Sequence, residues 1–198
     1  MFYFRLKRVF DFSLALFGLF IFFPFMAIIP LLIFAIYGRP VFYCKTSVGQ
    51  FGKVFKIMKF RSMDTVSSRI TKIGKILRQT AMDELPQLIN IIKGEMSFVG
   101  PRPYSLKKYG LTFDSRTKKI EVNNLNSDSL KFFQRLSVIP GLTGLAQIHT
   151  PKHAQDEEVL KLDLEYIKKE NLLLDLYLIL ISIWISITHS WEEIRRKI

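Results

Sequence analysis

FSLALFGLFIFFPFMAIIPLLIFAIY, residues 12–37, carries no charge and is long enough to reach across the hydrocarbon core of a bilayer. It is too long for the apolar region of a cleaved signal peptide. It also ends in Tyr37-Gly38-Arg39-Pro40 rather than at a small-residue cleavage site, so it reads as a retained membrane segment. Arg5, Lys7 and Arg8 precede the run, while Arg39 and Lys45 follow it, and the positive-inside rule pulls both ends to one face. Pro24 and Pro30 lie in its interior, where each removes a helix hydrogen bond and favours a kink. A bent hairpin that enters and leaves on the same side satisfies both facts; a kinked spanning helix is the alternative.

A second apolar run, NLLLDLYLILISIWISITHSW (171–191), has Lys168 and Lys169 before it and Arg195, Arg196 and Lys197 after it. Asp175 falls in its first turns and Ser or Thr recurs at 182, 186 and 188, so a helix lying in the interface is as plausible as a span. The 198-residue chain thus divides into an N-terminal membrane hairpin (1–38), one soluble unit (39–170), and an interfacial helix with a basic tail (171–198). An excess of 29 Lys and Arg over 17 Asp and Glu gives a net charge of +12 and argues for a polyanionic partner: phosphates, an anionic lipid surface or nucleic acid. Nucleic acid is disfavoured because basic and aromatic residues are not interleaved in the soluble part. The single cysteine, Cys44, rules out an intramolecular disulfide and reads best as a small buried hydrophobe.

In the soluble unit, residues 41–45 and 54–60 read as two short strands around a turn with Gly49 and Gly52. SRITKIGKILRQ (68–79) reads as a basic amphipathic helix, with Arg69, Lys72, Lys75 and Arg78 beside Ile70, Ile73, Ile76 and Leu77. In TAMDELPQL (80–88) Leu85 and Leu88 open an apolar stripe that continues to Ile89 and Ile92, Pro86 suits a first turn and Gly94 a stop. Asp83 and Glu84 therefore stand at a helix start, where capping and the helix dipole alone would favour acids.

Their company points further. Arg78 lies just upstream, and SFVGPRP mounts Arg102 between two prolines, a rigid setting for a planar phosphate fork. Carboxylates flanked by arginines beside a membrane suggest phosphoryl chemistry, with a hard divalent cation and a carboxylate nucleophile. His149, His153 and His189 lack metal-ligand spacing, and no P-loop or G-x-S-x-G occurs.

KFRSM (59–63), LRQTAMDELPQLINIIKGEMSFVGPRP (77–103), PGLTGLAQ (140–147) and LDLEYIKKENLLLDLYLI (162–179), in this order, resemble the bacterial sugar transferase family of monotopic phosphoglycosyl transferases, especially its minimal members. The resemblance covers nearly the whole chain. It implies transfer of a sugar 1-phosphate from a UDP-sugar to a polyprenyl (undecaprenyl) phosphate with release of UMP, opening glycan assembly at the cytoplasmic face of a bacterial inner membrane. It also implies Asp83 as covalent nucleophile and Mg2+ ligand, Glu84 as its catalytic neighbour, and Lys59, Arg78 and Arg102 on substrate phosphates. The fold so implied is α+β and mainly helical: a re-entrant helix broken at Pro24, interfacial amphipathic helices, and a small α/β catalytic region with a short β-hairpin.

The chain departs from the family's pattern at three places. Phe23 stands where a serine commonly precedes the helix-breaking proline, Leu145 stands where a Trp is usual, and HTPKH (149–153) lacks an arginine, with Lys152 able to replace its charge but not its fork. The stretch 111–133 is longer and more polar than usual. The competing reading from another class is a non-catalytic membrane adaptor that holds anionic lipid on its basic faces; it would tolerate Asp83→Asn.

Overall fold

The computed structural model describes residues 2–65, 67–105, 111–114, 119–122, 133–151 and 154–188. Among them the chain is mainly helical with three two-stranded sheets. Helix α1 (Phe2–Tyr37) leads into the antiparallel hairpin β1 (Phe42–Val48) and β2 (Val54–Phe60), in which Phe42 faces Phe60 and Val48 faces Val54. Helices α2 (Lys72–Gln79) and α3 (Gln87–Lys93) follow, then β3 (Ser97–Val99) and a second hairpin of β4 (Leu111–Asp114) and β5 (Lys119–Val122). Strand β6 (Gly141–Thr143) pairs parallel with β3, and α4 (Leu145–His149), α5 (Asp156–Lys169) and α6 (Leu172–Thr188) complete the described chain.

The strands arise where expected, with β1 running on to Val48. Cys44 corrects its expectation: it is exposed. A two-stranded hairpin cannot cover both of its own faces. Only the end of β1 at Ser47 and Val48 is buried beneath the rest of the fold. Helix α2 begins later than its periodicity suggests, because Thr71 caps it by accepting the Gly74 N–H at 2.9 Å. Arg69 consequently precedes the helix. Gly94 ends α3 at φ 81°, a left-handed conformation suited to glycine.

Helix α1 is one continuous helical segment through Pro24 and Pro30, with a mean hydropathy of 2.8 over its most apolar window. A missing proline N–H leaves the neighbouring turns free to keep the helix, so two prolines need not end it. Over its 36 residues it would measure about 54 Å if straight. One face packs on the α/β unit along most of that length. Ala15 and Leu19 meet Phe55, Leu88 and Ile91, while Ile29 and Ile33 meet Phe60 and Leu77. The opposite face carries Phe20 and Phe23, 82% and 68% exposed, which water would not tolerate in such a row. Helix α6 is similarly two-sided. Leu178 and Ile185 pack with Val99, Ile148 and Tyr166, whereas Leu173, Leu180, Trp184 and Ile187 face outward.

The charges at the start of α1 do more than flank an apolar run. Tyr3, Lys7 and Asp11 recur every four residues and form a polar seam on its packed side. Lys7 Nζ lies 2.6 Å from Asp175 Oδ2 on α6, the Tyr3 hydroxyl donates to the same oxygen at 2.9 Å, and the Tyr166 hydroxyl donates to Asp175 Oδ1 at 2.6 Å. Asp11 Oδ1 accepts the Phe98 N–H at 3.1 Å. Arg8 donates to the carbonyls of Ile91 and Ile92 at 2.5 and 2.6 Å, closing the C-terminal end of α3. Arg61, buried, donates to the carbonyls of Tyr37 and Pro40 at 3.2 Å and so closes the other end of α1.

Arg8 holds the end of α3, Leu19 packs in the cluster containing Leu88, and Met26 packs in the cluster containing Met82 and Leu85, so α3 runs antiparallel to the first half of α1. Its N-terminal end points towards the middle of α1. The seam yields a stability prediction. Lys7→Met leaves Asp175 buried with only tyrosine donors and should lower unfolding stability by about 3 kcal/mol, and adding Asp175→Asn should recover part of the loss by removing the orphaned charge. Thermal unfolding in lipid discs checks this; a Lys7→Met change below about 0.5 kcal/mol, the range of a surface substitution, would show that the pair is not buried against the helix.

Candidate active site

Asp83 and Glu84 do not begin α3 directly. They occupy a 3-10 turn, Met82–Glu84, entered through Ala81 at φ 56°. A left-handed alanine is uncommon and costs backbone energy, of the kind often stored at sites of function. Neither acid caps α3, whose first turn receives no side-chain cap. The helix-start explanation for the pair is therefore insufficient.

The surroundings of the two carboxylates differ. Glu84 is half-buried and ion-paired to Lys59 on β2. Asp83 is buried, 8% exposed, and no side chain among the described residues bonds it. Burial pushes its carboxyl up to about 6, with the Glu84 charge adding to the rise, while Lys59 and Arg78 hold it down. Arg78 reaches from the last turn of α2, its Nε donating to Ser62 Oγ at 2.8 Å. KFRSM and the LRQ…DEL stretch thus meet: Lys59 stands on β2, Ser62 just beyond it, Arg78 on α2 and the acids in the turn that follows.

Gly74 is what lets α2 lie so close. A Cβ there would fall 1.9 Å from the Ser62 carbonyl oxygen. Gln87, the first residue of α3, is 2% exposed, and its Nε2 meets no hydrogen-bond partner among the described residues. It lies off the apolar spacing of Leu85, Leu88, Ile89 and Ile92, so nothing in the sequence marked it.

Arg102 follows β3, and no hydrogen bond or ion pair joins it to the acid pair. GPRP and PGLTG meet through the β3–β6 pairing, where Gly100 N donates to Thr143 O and Gly141 N to Pro101 O, each at 2.9 Å. A Cβ on Gly141 would lie 2.1 Å from Gly100 N, so the crossing requires glycine. The Arg102 side chain is exposed at a shallow crevice formed with Val48, Pro101, Tyr104, Arg135 and Pro140. Beneath it lies a pair the sequence did not disclose. Arg135 Nη2 stands 2.5 Å from Asp163 Oδ2, both side chains at most 3% exposed. Burial raises the Asp163 carboxyl to about 6 against the opposing pull of Arg135. Lys152 and His153 lie outside the described residues, as does His189.

Mg2+ fits the donor set at the acid pair. Among the described residues no group of three or more metal-ligating side chains occurs, so these residues build no all-protein cage. Two adjacent carboxylates, one of them buried and raised by its neighbour, instead suit a hard cation that keeps waters and takes further oxygens from substrate phosphates.

Residues 2–189 match the family model described as bacterial sugar transferase. The exopolysaccharide production protein PSS of Rhizobium leguminosarum bv. phaseoli is 34% identical over 194 residues, covering 88% of this chain and 91% of that protein. The UDP-glucose:undecaprenyl-phosphate glucose-1-phosphate transferase of Escherichia coli (strain K12) is 32% identical over 196 residues, 90% of this chain but 39% of that protein. The galactosyl transferase CpsE of Streptococcus agalactiae serotype III (strain NEM316) is 34% identical over 170 residues, 74% of this chain and 34% of that protein. The chain therefore spans little more than a third of two of these relatives and nearly all of the third. With a family model matched along almost its whole length, the chain belongs to the bacterial sugar transferase family.

Proposed function

We propose that this protein transfers a sugar 1-phosphate from a UDP-sugar to a polyprenyl phosphate, releasing UMP, through a covalent intermediate on Asp83. The observation that carries the reading is the asymmetry of the acid pair. Glu84 is engaged by Lys59, whereas the Asp83 carboxylate is buried, raised and bonded by no other side chain among the described residues. Relatives named as undecaprenyl-phosphate glucose-1-phosphate transferases support the choice of donor and acceptor class.

In the first half-reaction an Asp83 Oδ lone pair forms a bond to the sugar-bearing phosphorus, and the bond from that phosphorus to the bridging oxygen breaks, with UMP leaving as the anion. Lys59 and Arg78 lower the repulsion between the donor diphosphate and the attacking carboxylate. In the second, a phosphate oxygen of the lipid acceptor attacks the same phosphorus and Asp83 departs as carboxylate, leaving a polyprenyl diphosphate sugar. Asp83, with Glu84 beside it, would hold Mg2+, which when bound would neutralise charge developing on the diphosphate.

The lipid acceptor makes the membrane part of the site. The packed face of α1 meets one α/β unit near both of its ends, at Arg8 and at Tyr37, which supports a re-entrant helix bent at Pro24 and Pro30 over a helix that carries the unit on one end only. Both termini of α1 then lie on the cytoplasmic face. The exposed outer faces of α1 and α6, together with Lys72 and Lys75 on α2, present apolar and basic surface to the leaflet.

Incubation with UDP-sugar and Mg2+ without acceptor should give a phosphosugar adduct on Asp83, seen by intact mass, with UMP released in proportion to enzyme. Asp83→Asn should remove both adduct and turnover; turnover with no adduct, requiring both substrates together, would replace the covalent route by direct transfer. A raised Asp83 also sets a pH profile. The nucleophile must be anionic, so kcat/KM at low Mg2+ should fall as pH drops through about 6. Added Mg2+ should move this limb to lower pH, and Lys59→Met, which removes a charge favouring the anion, should move it higher. A limb that Lys59→Met leaves in place would mean that another group titrates.

A further inference from the structure

Arg135 is 4% exposed, yet its guanidinium joins Asp163 on α5 to two residues of one short segment, Arg102 and Tyr104. Nη2 is paired with Asp163 of α5 at 2.5 Å, the same nitrogen donates to the Arg102 carbonyl at 3.2 Å, and the guanidinium carbon lies 4.0 Å from the centre of the Tyr104 ring. That segment is held from other sides as well. Gly141 N donates to Pro101 O at 2.9 Å, and Val48 N donates to Tyr104 O at 3.1 Å. The stretch that delivers Arg135 is itself pinned to the β1–β2 turn, Phe51 N donating to Leu136 O at 2.8 Å and Gln50 Nε2 to Ser137 O at 2.9 Å. Within this frame the Arg102 backbone is fixed, while its exposed side chain has no ion-pair partner among the described residues.

We infer that the buried Asp163–Arg135 pair is a positioning device for Arg102, fixing the backbone from which that guanidinium engages a phosphate of the nucleotide-sugar donor. This rests on the donor reading above. A guanidinium is a planar fork that can hold an aspartate and a carbonyl together and still lie flat on an aromatic ring; an ammonium cannot do all three. Burying an ion pair carries a desolvation cost, so a pair at most 3% exposed is better explained by the geometry it enforces than by stability. Arg102 presented from a fixed backbone loses less freedom on meeting a phosphate than the same side chain on a mobile loop, and donor affinity gains by that difference.

The test uses the full chain in lipid discs. Arg135→Lys keeps the charge against Asp163 but loses the fork, and it serves beside Asp163→Asn in case the latter, which strands a buried guanidinium, folds poorly. UMP release is measured against UDP-sugar concentration for the parent, Arg102→Ala, Arg135→Lys and the Arg102→Ala/Arg135→Lys double variant. Amide exchange of residues 100–105 is followed relative to α3. Arg102→Ala should raise the donor KM on the order of tenfold in the parent and less than about twofold in the Arg135→Lys background, since a misplaced Arg102 has little left to lose. Exchange in 100–105 should quicken in Arg135→Lys while α3 is unchanged. An equal Arg102→Ala factor in both backgrounds, or unaltered exchange in 100–105, overturns the inference. A parent protein that turns over no UDP-sugar sinks the donor reading alone, and the exchange measurement then decides the positioning by itself.

Discussion

The rest of the structure depends on the seam that fastens the first turns of α1 to the body of the protein. Lys7, Tyr3 and Tyr166 converge on Asp175, Asp11 takes the Phe98 N–H, and Arg8 closes α3. Burial of such groups is expensive unless every partner is present, so the seam specifies one orientation of α1 against α3, β3 and α6. Once that orientation is set, the apolar row of α1 opposite the seam faces outward as exposed apolar surface. Because α3 lies antiparallel to the first half of α1, the acid pair is carried towards the middle of the apolar helix and away from its charged start.

That location explains the electrostatics of the pair. Two carboxylates side by side in water would each ionise well below neutrality, and neither would be restrained. Here burial acts on Asp83 most strongly, Glu84 adds repulsion, and Lys59 and Arg78 limit the rise to about 6. A carboxylate in this condition is anionic at neutral pH yet poorly solvated, which suits a nucleophile. A cation and a diphosphate entering together would replace the missing solvation, and an acceptor whose phosphate travels at headgroup depth could reach the same phosphorus from the leaflet.

Much of this was legible in the sequence because it rests on local rules. The strands follow from β-branched and aromatic runs around glycines, α2 from its basic and apolar faces, and the end of α3 from Gly94. Lys59, Arg78, Asp83 and Glu84 were assigned through family resemblance, and the fold brings these four together. What escaped was long-range. Lys7 and Arg8 look like ordinary flanking charges, since nothing in their spacing reveals that Asp175 and the α3 carbonyls await them. Asp163 and Arg135 are far apart in sequence and meet only when α5 packs beneath the β3–β6 pair. Cys44 was misread because composition favours burial of cysteine, whereas exposure is decided by which end of a small hairpin the body covers.

The central claim is that α1 enters and leaves the bilayer on one side, so that both of its ends lie at the same face. Spin labels on single cysteines at exposed positions 9, 23 and 36, with Cys44→Ser, can be tested in sealed lipid vesicles for access to oxygen and to a polar nickel chelate added outside. The account predicts greatest depth at 23, with 9 and 36 both shallower and both reached by an impermeant reagent from the same face. Depth that passes steadily from one headgroup layer at 9 to the opposite layer at 36, with 23 near the midplane, would contradict it and make α1 a spanning helix.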